Sequence, residues 1–249
     1  MDLTKRFAGR TALITGAGSG IGAATARRLA AEGARVLVTD IDGEAARTVA
    51  ADLPRATAHR LDITDRDAVD EVIGGLPALH VLVNNAFVPF VDDPDENWRR
   101  QLDGTLLGAV RCSRAALPHL AATAGAIVTI GSVNAEADFG DHAYSAAKAA
   151  LGSFTRTLAG EAAPKGVRVN QINPGTVATP SWAGREKDLA ALGGRAYPLG
   201  RVGTPDDIAA AVAFLASPDA AWITGTTLRV DGGLMAVNRH FREVLDGEG

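Results

Sequence analysis

The chain has 249 residues, 47% apolar and 22% charged, with 28 glycines and 11 prolines, a balance that excludes disorder and collagen-like or low-complexity architecture and allows one full core. Twenty-five basic against 29 acidic residues leave a net charge of −4 without a basic stripe, so no nucleic-acid partner is expected. Cys112 alone cannot form an internal disulfide, the five histidines lack metal-ligand spacing, and no apolar run approaches the ~20 residues that span a bilayer. The expected setting is the reducing cytoplasm, with no metal and no membrane contact.

Runs rich in Val, Ile and Leu at 11–15, 34–39, 56–61, 79–83, 126–130, 167–172 and 226–230 are bounded by Gly, Pro, Asp or Asn and predict seven buried strands. Between them, Ala-rich segments of helical period at 20–32, 43–53, 65–74, 97–123, 142–163 and 205–216 predict helices. Strict alternation implies parallel strands with right-handed helical crossovers: an α/β fold, doubly wound, with a seven-stranded parallel sheet covered by helices on both faces. The rhythm breaks at residues 175–198, where Pro180, Gly184, Gly193, Gly194 and Pro198 mix with Trp182 and Tyr197 after a strand end, as expected of a substrate lid. No repeat or linker divides the chain, so residues 1–249 are expected to form a single domain, ending in a tail at 236–249. Phe241, Val244 and Leu245 among the tail's charges leave open a short amphipathic helix at a subunit contact.

After the first strand comes Thr15-Gly16-Ala17-Gly18-Ser19-Gly20-Ile21-Gly22, running straight into a helix. Glycines at 16, 20 and 22 permit a tight turn and close approach to a pyrophosphate, and the N–H groups of Ser19, Gly20 and Ile21 open the helix with its positive dipole end. Without a ligand the same spacing is an ordinary strand-to-helix turn. Asp40, twenty-four residues beyond Gly16, ends the second strand, where a carboxylate binds both hydroxyls of an adenine ribose and repels a 2′-phosphate. With Ser19 in the loop and Ile41 after Asp40, neither position supplies a cation, and the expected cofactor is NAD.

Tyr144 and Lys148, four residues apart on a helix, project from one face; an ammonium there favours phenolate and can draw a tyrosine down from ~10. Ser132, just past the fifth strand, can polarise the same substrate oxygen. These residues, with Leu61-Asp62-Ile63, Asn84-Asn85-Ala86, Asn173-Pro174-Gly175 and Asp231-Gly232-Gly233 in order, resemble the short-chain dehydrogenase/reductase family from about residue 11 to 233.

The resemblance implies a Rossmann-type oxidoreductase that interconverts a secondary alcohol and a ketone with NAD(H). It places Asp62 and Ile63 beside the adenine, Asn84 and Ala86 along the cofactor cleft, and Pro174, Gly175, Val177 and Thr179 over the nicotinamide. Lys148 would also hold the nicotinamide ribose. Two positions depart from the family pattern: Phe87 replaces the glycine of Asn-Asn-Ala-Gly, and Thr105 replaces an asparagine whose main-chain carbonyl holds a water in the proton relay. Candidate contacts for a small alcohol or ketone are Phe87, Val88, Asn134, His142, Trp182 and Arg185, with Asn134 suited to a polar substituent and Arg185 to a carboxylate. Helices 97–123 and 142–163, rich in Ala and poor in large charges, suit close packing either between subunits or against the sheet, and the family implies a homotetramer, a dimer of dimers. Competing readings are an NAD-binding homologue with a sensing or scaffolding role, and an epimerase or dehydratase with transient hydride transfer.

Overall fold

The computed structural model describes residues 5–237, so most of the expected tail, from Asn238 on, lies outside the described residues. Seven strands form one parallel sheet in the order β3-β2-β1-β4-β5-β6-β7. They are β1 Thr11–Thr15, β2 Arg35–Asp40, β3 Ala56–Arg60, β4 Val81–Asn84, β5 Ala126–Ile130, β6 Arg168–Pro174 and β7 Thr227–Val230. Strand order reverses between β1 and β4, which opens a crevice at their carboxyl ends, the usual ligand position in such sheets.

Both faces of the sheet are dry across β1, β2, β4, β5 and β6, which is why those strands read as apolar runs, while the edge strands β3 and β7 are partly exposed. Ala12, Ile14, Val36, Val38, Val83, Val128 and Ile172 point into one core, while Leu13, Leu37, Leu82, Ile127 and Val169 point into the other. The first core is closed by α1 Gly20–Ala31, α2 Gly43–Ala51 and α8 Pro205–Ala216, the second by α3 Arg66–Gly74, α5 Gly108–Thr123 and α6 His142–Ala162. Cys112 sits in the second, where burial pushes its thiol up to about 12 and makes it a small hydrophobe.

Two segments differ from the sequence expectation. The stretch 97–123, expected as one helix, is α4 Pro94–Arg100, a π-helical segment Gln101–Leu107, and then α5. The wide turn lies where Gly104 lets the side chain of Val88 come against the helix backbone; a Cβ there would overlap Val88 Cγ1. The lid also contains a helix of its own, α7 Glu186–Ala196, and is anchored by Tyr197, 2% exposed, whose hydroxyl accepts from Thr176 N at 2.6 Å. Among the described residues no helix is long and apolar enough to cross a membrane, and no group of three or more potential metal ligands gathers.

Candidate active site

The crevice begins at the β1–α1 turn. Gly16 has φ +62°, and a Cβ on it would lie 2.8 Å from Ala86 Cα; one on Gly22 would overlap the Gly16 carbonyl oxygen. Only glycine lets these backbones meet. Asn85 Nδ2 donates to Thr15 O (3.0 Å) and Gly16 O (2.8 Å), while Thr15 Oγ1 accepts from Asn85 N and Ala86 N, both at 3.1 Å. The ends of β1 and β4 are thus locked together under the loop. Asn85 stands in the Asn84-Asn85-Ala86 motif but was not among the candidate site residues, because its bonds under the loop are made by tertiary approach.

Helices α2, α3, α4, α6 and α8 each receive a capping bond from an Asp or Thr side chain, but Ser19 at the head of α1 is extended and makes none. The first turn from Gly20 and Ile21 therefore meets the crevice without a side-chain cap, and Thr179 of the lid lies over Gly20, with Cγ2 at 3.3 Å from a Cβ placed there. A bare, uncapped helix head beside a loop that a single Cβ would fill fits a pyrophosphate. Asp40 Oδ2 accepts from Gly18 N (2.9 Å) and Oδ1 from Asp42 N (3.0 Å), which sets the carboxylate at the loop's edge with Ile41 exposed beside it. One neighbour was hidden from the sequence reading. Arg60, in register with Asp40 on β3, donates from Nε to Ile41 O at 3.2 Å.

Further along the crevice, Asp62 Oδ1 accepts from Thr64 N and Thr64 Oγ1, and Ile63 is buried against Gly108 at the head of α5. Asn84 requires a correction as a cleft-lining side chain. It is 4% exposed and donates to Ser113 Oγ at 2.9 Å, because on β4 it shares the inward face with Leu82; its part is to support the strand end from below. Ala86, two residues on, makes the close approach to Gly16 instead.

Three side chains converge past β5. Ser132 Oγ donates to Asn134 Oδ1 (3.0 Å) and accepts from Asn134 N (3.2 Å), and the Ser132 N–H is held by Asn173 Oδ1 at 3.2 Å. Asn173 is held in turn by Glu136 (2.7 Å), and Glu136 by Arg229 Nε on β7 (2.6 Å). Tyr144 enters from the first turn of α6. That turn is capped by Asp141, whose carboxylate takes Tyr144 N at 2.7 Å and Asn97 Nδ2 at 3.1 Å, and whose φ of +47° is rare for a residue with a Cβ. Lys148, one turn on and buried, donates from Nζ to Ile130 O at 2.7 Å and lies 5.4 Å from the Tyr144 ring centroid.

The electrostatics correct one expectation. Tyr144 is not drawn down: burial raises its pKa above the ordinary value, with the Ser132 hydroxyl pulling the other way and the Asp141 charge adding to the rise. Burial also pushes Lys148 down to about 7. An amine whose charge near neutrality is reduced by desolvation, and which is committed to a main-chain carbonyl, has less charge with which to acidify a phenol.

The lid leaves β6 at Pro174, and Gly175 packs against the Tyr197 ring and Asp231. Val177, 7% exposed, bridges to Gly203. Arg185 stacks on Trp182 at 4.6 Å and pairs with Asp188 at 2.8 Å, while His142 is exposed at the start of α6.

Residues 16–235 match the family model described as enoyl-(acyl carrier protein) reductase. The chain is 42% identical over 246 residues to cis-4-hydroxycyclohexanecarboxylate dehydrogenase of Sinomonas cyclohexanicum, covering 93% of this chain and 98% of that one. It is 40% identical over 242 residues to meso-2,3-butanediol dehydrogenase of Serratia marcescens, covering 93% and 96%. A crystal structure of an oxidoreductase of the short-chain dehydrogenase/reductase family from Burkholderia thailandensis superposes with a TM-score of 0.89 at 39% identity, over 96% of this chain and 98% of that one. The chain belongs to the short-chain dehydrogenase/reductase family. It is accordingly an oxidoreductase of a family that works with a nicotinamide cofactor, a group that the glycine cradle and the uncapped head of α1 fit.

Both departures from the family pattern find room in the structure. The Phe87 side chain is half exposed, so its ring turns outward and the close passage by Gly16 is left to Ala86. Thr105 lies inside the π-helical segment, 1% exposed, with Oγ1 donating to Gln101 Oε1 at 2.9 Å; Gln101 Nε2 donates to Val88 O at 3.1 Å. The segment packs directly on α6, which carries Tyr144 and Lys148. Local π turns recur at functional sites because they displace main-chain groups from the regular ladder. If the main chain is what this position supplies, Thr105→Asn should keep the single-turnover rate within about threefold of wild type. A loss of tenfold or more at unchanged thermal stability would assign the role to the hydroxyl and its bond to Gln101.

Proposed function

We propose that the chain is an NAD(H)-dependent oxidoreductase that interconverts a secondary alcohol and a ketone, with Tyr144 as acid and base. The observation that carries this reading is the assembly of Ser132, Tyr144 and Lys148 at the carboxyl ends of the strands, beside the glycine cradle. The two relatives named above are, by name, dehydrogenases of compounds with secondary hydroxyl groups.

The cofactor would be held at its pyrophosphate by Gly16, Ser19, Gly20 and Ile21, at its adenosine by Asp40, Ile41, Asp62 and Ile63, and at its nicotinamide end by Lys148 and residues 174–179. When bound, it accepts or returns the hydride of the carbinol carbon. The chain's own residues handle the proton. Ser132 Oγ, held as an acceptor by Asn134 N, would turn its one hydroxyl hydrogen from Asn134 Oδ1 to the substrate oxygen and fix it beside the phenol. In oxidation the Tyr144 oxygen takes the hydroxyl proton; in reduction the phenol returns it. Lys148, at about 7, can change its own protonation near neutrality and so pass charge beneath the ring. Because burial favours neutral Tyr144, oxidation is favoured by alkaline conditions and reduction by neutral ones.

Purified protein supplied with NAD or NADP and a panel of secondary alcohols tests the reading through the absorbance of the reduced cofactor. Turnover is expected, with kcat/KM for NAD at least about thirtyfold above that for NADP, or ~2 kcal/mol, because in this reading the Asp40 carboxylate would repel a 2′-phosphate. Arg60 offsets part of that repulsion, so Arg60→Ala should widen the gap. Equal use of both cofactors would overturn the role given to Asp40, and absence of turnover with every alcohol would overturn the reading itself.

A further inference from the structure

Two of the polar side chains that the sequence offers as substrate contacts, Asn134 and Arg185, are already engaged by the chain, and the third, His142, is exposed at the start of α6. Asn134 Oδ1 accepts from Ser132 Oγ at 3.0 Å, and its Nδ2 reaches Gly140 O at 3.4 Å. Arg185 is paired with Asp188 and stacked on Trp182, so a substrate carboxylate would have to break both contacts to reach it. What stands uncommitted beside the phenol is apolar. The Phe90 ring meets the Tyr144 ring edge to face, with centroids 5.4 Å apart and planes at 76°, yet the residue remains 54% exposed.

That exposure is built in. The segment leaving β4 is pinned two residues earlier, where buried Gln101 donates from Nε2 to Val88 O and the Val88 side chain sits against Gly104. With Val88 fixed, Phe90 is delivered to the rim of Tyr144 and its outer face is left for something else to cover.

We propose that Phe90 is a specificity-determining residue, forming an apolar wall that receives a ring-sized hydrocarbon group attached to the carbinol carbon of the substrate. The inference rests on the alcohol-oxidising reading of this site and names its substrate class: secondary alcohols with one small arm and one alicyclic or aryl arm. An aromatic wall beside the acid/base strips water from one side of the reacting oxygen and gains dispersion contacts only when the substrate arm is large enough to span it. Small polyols have nothing to place there.

The test compares 1-phenylethanol and 1-cyclohexylethanol with 2-butanol and 2,3-butanediol in wild type, Phe90→Ala and Phe90→Leu, with NAD and NADP each supplied. Wild type is expected to favour the ring alcohols by about tenfold or more in kcat/KM, an increment typical of a filled apolar subsite. Phe90→Ala should erase most of that preference through KM, and Phe90→Leu should restore part of it. Calorimetric binding of 1-phenylethanol in the presence of NADH, which needs no turnover, runs alongside and should weaken about tenfold in Phe90→Ala. A wild type without ring preference, or a Phe90→Ala that loses kcat equally on all four alcohols, would overturn the inference and leave Phe90 as packing for Tyr144. If wild type turns over none of the alcohols, the catalytic reading fails by itself, and calorimetry then decides: equal binding to wild type and Phe90→Ala overturns the apolar wall as well.

Discussion

Tyr144→Phe should lower kcat by about 10²–10⁴ while leaving NADH binding, read by fluorescence, within about twofold of wild type. The ring survives the change, and with it the edge-to-face contact with Phe90 and the capping bond from Asp141 to the main-chain N–H of residue 144. Ser132 keeps its exchange with Asn134, so no buried hydroxyl is stranded and stability should move by no more than about 1 kcal/mol. What disappears is the only phenolic oxygen on that wall of the crevice. Near-normal turnover would require another acid/base and would discredit the proposed chemistry. In wild type the oxidation rate should climb toward alkaline pH as the raised phenol ionises, and this limb should vanish in the variant.

Lys148→Met separates catalysis from stability. The substitution keeps the unbranched apolar stem and removes the terminal amine, so turnover should fall by at least about 10². Stability should respond with a pH dependence of definite sign. The folded chain holds this amine at about 7 against an ordinary 10.5, so between these values the unfolded chain carries the extra proton. Wild type therefore gains stability as pH rises from 7 toward 10, by up to about 1.4 kcal/mol per unit, and below 7 the full cost of a buried ammonium applies. The variant lacks this slope. Met leaves Ile130 O without its donor, a penalty of ~1–3 kcal/mol that does not vary with pH. Urea midpoints at pH 6, 7, 8 and 9 should thus show the variant losing ground steadily to wild type; parallel curves would contradict the burial argument. Above pH 10 the raised phenol of Tyr144 works in the opposite sense, since the folded chain then keeps a proton that the unfolded chain releases.

The five inner strands β1, β2, β4, β5 and β6 were legible because they are dry on both faces, which writes each as an apolar run; the part-exposed edge strands β3 and β7 were legible from their bounding turns and their place in the alternation, and the helices from an apolar stripe shown to the sheet. The π-helical segment was not, since Gln101-Leu102-Asp103-Gly104-Thr105 has no local signal for a wide turn; the cause is Val88, brought across from the end of β4. Helix α7 was obscured by Gly193 and Gly194, which lower helix propensity without preventing a helix that Arg201 and Val202 pack against. At the site, spacing along one helix revealed Tyr144 and Lys148. Partners set by tertiary approach stayed hidden: Arg60 beside Asp40, Asn85 under the glycine loop, Asn97 behind Asp141, and Phe90 over the phenol. Asp141 had a readable sign, an Asp one residue before the helix, but its left-handed backbone did not. The protonation of Tyr144 was misjudged for a related reason. A sequence shows that a phenol and an amine are neighbours; it does not show that burial discourages the charged form of each.

The relay from Arg229 through Glu136 and Asn173 to the Ser132 N–H has a consequence for how the molecule matures on the ribosome. The hydrogen bonds that hold the glycine loop need only β1 flanked by β2 and β4 and residues up to Ala86. Ser132 is braced only after β6 and then β7 arrive at the far edge, the last link spanning 93 positions from Glu136 to Arg229. Contacts of such separation close late, after the loop entropy of the intervening chain has been overcome. A chain still emerging, or one that has lost β7, would have the loop's own hydrogen bonds in place while its serine turn stayed unbraced, and before residues 205–216 emerge α1 also lacks the cover of α8, so the site is completed only when the sheet is finished.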